Sequence, residues 1–515
     1  MVKFKQKLVI SHVYFTTTMN RIGFDNEKYL QIQSEKIKER ISMFGDVLYL
    51  EFGGKMFDDH HASRVLPGFA PDSKVKMLLQ LKDDAEIVLA INSNDIEKNK
   101  IRGDLGITYD MDVLRLIDAF RGYGLYVSSV VLTQFAGQAF AIAYQQKLEK
   151  MGLKVYRHYP IQGYPSNLQL ILSEDGFGKN DYIETSRRLV FVTAPGPGSG
   201  KMATCLSQLY HDNKRGIKAG YAKFETFPVW DLPLKHPVNL AYESATVDLN
   251  DVNMIDPYHL EAYNKIATSY NRDVETFPVL NEMLKRINGS SLYKSPTDMG
   301  VNMIGQCITD DEVICDASRR EIIRRYFNTA CNVRKGNAEE SQLPKIEMIM
   351  EQAKVNPANR KVAVLAKEVS EATGCSPAAA IEMNDGHLIA GKTSKLLGAA
   401  SAMLLNALKY LAGIPKEVDL ISPIVIEPIC NMKTQHLGHT NPRLHVDEVL
   451  IALSICALTD INARRALENL EGLKGCEVHT TVILSAVDVS TMRKLGVNLT
   501  HDPVYLSKKL YHGAK

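Results

Sequence analysis

The residue types and spacing best suited to chemistry fall in Arg188–His211, RLVFVTAPGPGSGKMATCLSQLYH. Leu189–Ala194 is an unbroken apolar run of strand character. Pro195-Gly196-Pro197-Gly198-Ser199-Gly200-Lys201 breaks it, and a helical pattern resumes at Met202. A strand, a glycine loop and a helix opening on lysine make an anion cradle. Gly198, Ser199 and Gly200 offer backbone N–H groups, the helix N-terminus adds partial positive charge, and Lys201 supplies an ammonium. The spacing departs twice from the phosphate-loop pattern G-x-x-x-x-G-K-[ST]. Pro195 takes the first glycine position. Met202 stands where Ser or Thr would hold Mg²⁺, and a thioether is a poor ligand for that hard cation. The competing reading is a connector whose glycines relieve backbone strain and whose lysine is merely solvated.

Other post-strand loops carry similar groups. Gly53, Gly54 and Lys55 follow the apolar run Val47–Phe52, and Asp58, Asp59, His60, His61 and Arg64 come next. They offer a general base, metal ligands and an anion-binding guanidinium. Adjacent helix residues do not share a face, so at most two of Asp58–His61 can meet one ion. Asn94 and Asp95 follow Ile87–Ile91, and Gln134 follows Leu125–Leu132. Strands alternating with helices predict an α/β fold with a doubly wound, mostly parallel sheet. Ligands of such sheets bind outside the carboxyl ends of the strands, where the strand order switches. That rule brings Lys55, Asn94, Asp95, Gln134 and Lys201 to one edge. Glu225, Asp231 and His236 lie in the loop-rich stretch Gly220–Asp256, together with Lys223, Asp248, Asp251 and the only tryptophan, Trp230. A long irregular stretch of this kind is often functional. The expected catalytic set is therefore Lys55, Asp58, Asp59, Glu225, Asp231 and His236. The expected binding set is Gly53, Gly54, Asn94, Gln134, Gly198, Ser199, Gly200 and Lys201.

Further along, His436, His439, His445, Asp447 and His479 lack a zinc spacing such as H-E-x-x-H, so no zinc is expected. Asp447 and Glu448 suit the positive end of a helix dipole. The basic helical face Arg319–Arg325 reads as solvated or as an oligomer contact rather than as a nucleic-acid surface. No G-x-S-x-G elbow and no recognisable cysteine nucleophile occurs. The pentapeptide ETFPV appears at Glu225–Val229 and Glu275–Val279, as two similar turns or by coincidence.

The whole chain sets limits on function. Its 515 residues carry 61 basic and 59 acidic side chains, a net charge of +2, which gives no field favouring nucleic acid or membrane. No apolar run approaches the roughly eighteen residues of a membrane span. The eight cysteines are scattered without a C-x-x-C pair, fitting a reduced, cytoplasmic setting. Residues 1–18 read as an extension outside the fold. An α/β phosphate-binding domain follows over 19–256, a helical subdomain over 257–373, a C-terminal α/β domain over 374–503 and a tail over 504–515. The C-terminal pattern is β-β-α-β-α-β-α-β, three layers, with Leu420–Ile426 as one of the strands.

The strings LYLEFGGKMFDDHHASRVLPGF, IRGDLGITYD, VTAPGPGSGKMATC, GYAKFETFPVWDLPLKHPVNLAYE, SPTDMGVNM and NPRLHVDEVLIALSI resemble a bacterial family. It is known as domain of unknown function 1846, or uncharacterised protein family 0371. The resemblance runs from about Phe24 to the C-terminus. It implies an N-terminal α/β region, here with the P-loop-like strand, loop and helix read above, a helical insertion and a C-terminal domain of cytidine-deaminase-like topology, and it fits homo-oligomers. A peptidase label carried by some members has no motif here. The zinc-deaminase signature is also missing, since Pro428-Ile429-Cys430-Asn431-Met432 has one cysteine only. The expected function is an enzyme that binds a small phosphorylated ligand, foremost ATP or another nucleotide with Mg²⁺, for phosphoryl transfer or ATP-dependent chemistry. The alternatives are a hydrolase or transferase on a phosphorylated or acidic metabolite, and a non-catalytic oligomeric scaffold.

Overall fold

Six strands of 4 to 8 residues form the main sheet, and a two-residue one joins them at the edge. They are β1 (Val47–Phe52), β2 (Ala85–Asn92), β3 (Val127–Thr133), β4 (Lys154–Arg157), β5 (Leu189–Thr193), β6 (Ala219–Phe224) and β7 (Gly300–Val301). In the computed structural model, which describes residues 21–57, 59–102 and 105–506, all seven form one parallel sheet ordered β7-β6-β1-β5-β2-β3-β4. β3 and β5 are buried along their whole length, Ser128 and Ser129 of β3 included, because helices cover a parallel sheet on each side. Leu48, Leu50 and Phe52 enter one layer with Ile37 and Ile41 of α1 (Asn26–Phe44) and Val75 and Leu78 of α2 (Ser73–Gln80). Tyr49, Val190 and Val192 enter the other with Cys205, Leu206 and Leu209 of α3 (Lys201–Lys214).

This layering makes a switch point. β1 and β5 are neighbours, yet the chain leaves β1 for α2 on one layer and β5 for α3 on the other. The segments after them therefore leave for opposite layers, and the carboxyl edge beside such a switch is where open α/β sheets take ligands.

Two compact units emerge, Ile22–Glu243 with Asn250–Ala317, and Ser244–Leu249 with the chain from Ser318 onward. The division falls inside the helix Asp311–Lys335. The second unit holds a mixed four-stranded sheet of β8 (Ala378–Glu382), β9 (Leu388–Lys392), β10 (Glu477–Thr480) and β11 (Asn498–His501), ordered β9-β8-β10-β11. The expected hairpin around Asn384-Asp385-Gly386 joins β8 to β9. Helices α4 (Ala399–Leu411) and α5 (Val446–Cys456) build its core through Met403, Leu404, Val449 and Leu453, while α6 (Ala486–Lys494) contributes Met492.

Three expectations are corrected. The apolar run at Leu420–Ile426 is not a strand. Ser422 caps the helix Pro423–Asn431 by accepting from Ile424 N–H, and Pro423 sits at its first position. The basic face Arg319–Arg325 is not simply solvated: Arg324 is buried against Glu477, Arg320 pairs with Glu382 and Arg325 with Glu321. The two ETFPV copies are not similar turns either, since Glu275–Val279 is helical and Glu225–Val229 is loop. Among the described residues no helix is long and apolar enough to cross a membrane, and no disulfide joins any of the eight cysteines.

Two buried histidines tie stability to pH. Burial pushes His158 down to about 4 and His501 down to about 3 from an ordinary 6.5. The unfolded chain therefore binds more protons than the folded one below about pH 6.5. Stability is expected to fall as pH drops from about 6.5 towards 4, read as a declining urea midpoint. His501→Asn should flatten that decline, and an equally steep decline in the variant would contradict this assignment.

Candidate functional site

The loop after β5 is held open by its neighbours. Gly198 and Gly200 have φ of +75° and +84°, a left-handed backbone that glycine adopts freely. A Cβ on Gly200 would stand 3.0–3.1 Å from the Thr133 side chain. Thr133 Oγ1 donates to the Ser199 carbonyl at 2.8 Å, Asn92 Nδ2 donates to the Gly198 carbonyl at 3.3 Å, and Ser199 Oγ donates to the Gly196 carbonyl at 2.9 Å. The loop's oxygens are thus tied back to β2, β3 and the loop itself. Gly200 caps α3 without a side chain, and Lys201 is the first residue of that fourteen-residue helix. Asn94 and Gln134 come together through Gln138, whose Nε2 donates to Asn94 Oδ1 and to the Gln134 carbonyl, both at 2.9 Å. Met202 packs against the apolar layer beneath α3. Gly200→Val is expected to cost about 1–3 kcal/mol in urea unfolding, because it adds backbone strain and crowds Thr133.

The loop after β1 leads to the opposite layer of the sheet. Gly54 has φ +77°, and a Cβ there would stand 3.2 Å from Lys74 Nζ. Lys74 is fully buried, pairs with Asp59 at 2.7 Å, and has its ammonium 5.8 Å from the Phe52 ring centre. Asp59 also caps the helix His60–Val65 by accepting from Ala62 N–H. Burial works to raise its pKa, but Lys74 and that N–H hold it below the usual value. Asp59 thus anchors the loop through a lysine that sequence reasoning missed. Lys55 is exposed, and Asp58 lies outside the described residues.

At the end of β6, Lys223 Nζ lies 2.9 Å from Glu225 Oε1 and also contacts Asp273 and the Tyr270 hydroxyl. Burial opposes the lysine's charge, yet Asp273 and Glu225 raise its pKa well above the ordinary value. Burial pushes Glu225 up to about 7 against the pull of Lys223. Glu51 of β1 accepts from Tyr221 at 2.7 Å and adds to the field on Lys223. The buried Cys205 thiol, raised by burial and by Glu51 and lowered by Lys201, links this cluster to the start of α3. The arrangement sets an exchangeable proton on Glu225 at the carboxyl end of β6. Tyr270 and Asp273 lie more than forty residues downstream of Lys223, and no motif marks them.

Asp231 and His236 have other partners. The Asp231 carboxylate packs on Gly305, where a Cβ would collide with it. His236 Nε2 lies 3.0 Å from Asp311 Oδ1 and 3.5 Å from Cys315 Sγ, the one His/Asp/Cys group close enough to share an ion among the described residues. However, Val238 N–H donates to His236 Nδ1 at 3.3 Å, which leaves the ring proton on Nε2, pointing at Asp311. A metal at Nε2 would have to displace that proton, so hydrogen bonding accounts for the group.

Comparison with known proteins agrees with the residue strings. The models for the N-terminal and C-terminal parts of domain of unknown function DUF1846 match residues 22–354 and 358–511. A UPF0371 protein of Corynebacterium glutamicum (strain R) is 57% identical over 491 residues, covering 95% of this chain and 99% of the relative. One of Streptococcus pneumoniae (strain CGSP14) is 56% identical over 493 residues, 96% of this chain and 100% of the relative. With matches spanning almost the whole sequence, the chain belongs to the DUF1846, or UPF0371, family.

Proposed function

We propose that the N-terminal unit is an enzyme that binds a small phosphate-bearing ligand at the carboxyl edge of its sheet. The carrying observation is the loop Gly198–Lys201. Two left-handed glycines, carbonyls held from behind and an uncapped helix N-terminus beginning with lysine favour an anion in front. In this P-loop-like reading the loop amides and Lys201 hold phosphate, Lys55 adds a second cation, and Glu225 exchanges a proton with the ligand. A nucleotide is the first ligand class, with phosphoryl transfer or ATP-dependent chemistry as the reaction class. The packing of Met202 into the apolar layer supports a second reading, in which a phosphorylated metabolite binds with no Mg²⁺ held at the helix start.

Calorimetric titration with ATP, with and without Mg²⁺, and with pyrophosphate separates these readings. Saturable binding weakened about tenfold or more by Lys201→Ala is expected, from losing a charge-assisted contact. Pyrophosphate binding without a response to Mg²⁺ favours the metabolite. Equal binding by wild type and Lys201→Ala sinks both.

A further inference from the structure

The C-terminal unit contains a cavity of about 500 Å³ that the phosphate loop does not explain. Three helices begin at its wall: α4 after Gly398, α5 after His445 and α6 after Ser485. Two of these starts are occupied by the protein. Asp488 Oδ1 accepts from Val446 N–H at 2.8 Å, and Ser485 Oγ accepts from Asp488 N–H at 3.2 Å. The third is not served in this way. Gly398 has no side chain to cap α4, and Ala399, Ala400 and Ser401 of its first turn line the cavity.

Arg443 supplies a second, independent pointer. Its Nε donates to the Ser394 carbonyl at 2.7 Å, which fixes the guanidinium at the cavity wall, and it makes no ion pair among the described residues. The cavity's carboxylate is already used: Asp488 Oδ2 lies 2.9 Å from both His445 Nδ1 and Ser485 Oγ. The pairing sets the His445 ring proton on Nδ1 and leaves Nε2 for a ligand. The Asp488 hydrogen bond also raises the His445 pKa, against burial. Arg443 offsets the Asp488 carboxylate, and a second ring proton on His445, at Nε2, makes the wall positive and able to donate to an anion. Much of the remaining wall is apolar, from Leu437, Val482, Ile483 and Leu484.

We propose that this cavity binds a small amphiphilic oxyanion, a carboxylate or phosphate monoester on an apolar body. Arg443 and the first turn of α4 take the oxyanion, and the Asp488-oriented His445 makes one further hydrogen bond to the ligand. The site stands apart from the reading of the phosphate loop, since every residue it uses lies beyond Ser394.

The test is calorimetric titration of the full chain with benzoate, phenyl phosphate and neutral benzyl alcohol. One anion is expected to bind once per chain, and the better of the two identifies the headgroup. Arg443→Met should weaken it about tenfold or more, and Lys201→Ala should leave it unchanged. If Arg443→Met does not fold, the ¹³Cε1 signal of His445 in the wild type, assigned by its loss in His445→Gln, serves instead. That signal should move with saturation by the anion. Failure of both anions to bind, equal binding of benzyl alcohol, an unchanged affinity in Arg443→Met, loss of binding in Lys201→Ala, or a still His445 signal would each overturn the proposal.

Discussion

Glu477→Gln is expected to destabilise the C-terminal unit by about 3–5 kcal/mol, the range for breaking a buried ion pair from one side. Glu477 sits on β10 with one carboxylate oxygen toward Arg324 and the other toward Arg360, and all three side chains are buried. Arg360 has further fixed partners, donating to Thr500 Oγ1 at 2.8 Å and to the Val478 and Asn498 carbonyls at 2.9 and 3.0 Å. It cannot turn away when the carboxylate is lost. The amide keeps the shape but leaves the enclosed Arg360 guanidinium without its carboxylate and Arg324 with Glu321 alone. The pH dependence has a definite sign. Burial works to raise the Glu477 pKa, but the two arginines hold it below the ordinary 4.5. Its contribution is therefore present above about pH 4.5 and is lost as pH falls through the lower folded value. Urea unfolding at pH 7 measures the loss. A change below about 1 kcal/mol would place Glu477 in the range of a solvent-screened surface pair.

Lys223→Met has the second-largest expected effect, about 3 kcal/mol at pH 8. The ammonium is the shared partner of Glu225, Asp273 and Tyr270, so its removal leaves two crowded carboxylates at the end of β6. In the wild type Glu225 already titrates near 7, raised from an ordinary 4.5. A raised carboxylate contributes stability at low pH that is lost as pH rises through the folded value, because the folded chain binds the extra proton. Without Lys223 the Glu225 pKa moves higher still. The variant should therefore lose more stability at pH 8 than at pH 5. Urea midpoints at the two pH values check this, and a pH-independent loss would mean that packing dominates the role of Lys223.

What the sequence made legible follows from the physics of each element. β3 and β5 are rich in apolar residues because both faces are buried, and the loop composition after each marks the chain's departure from the sheet. Parallel pairing alone then places the loops with Gly54, Asn94, Gln134 and Lys201 on one edge. Local pattern fails where distant partners decide. Lys74 stands in no sequence motif, yet it is buried against Asp59 and beside Gly54. Arg324 reads as part of a basic face, and its partner Glu477 lies 153 residues away. Leu420–Ile426 carries strand-like hydrophobicity, and the Ser422-Pro423 start signal inside it decides for helix. The two ETFPV copies make the same point, since an identical pentapeptide is helix in one context and loop in the other. His445 reads as one of a set of histidines without a zinc spacing, and only the fold brings Asp488 to its ring.

The central claim, an anion held by the loop after β5, is tested most directly at that loop's own backbone. Selective ¹⁵N labelling of glycine and lysine would report the amide signals of Gly198, Gly200 and Lys201 during a pyrophosphate titration. All three are expected to move together and saturate, while the same titration of Lys201→Ala leaves the two glycine signals in place. Unmoved Gly198 and Gly200 signals in the wild type, at pyrophosphate concentrations that shift other residues, would contradict the account.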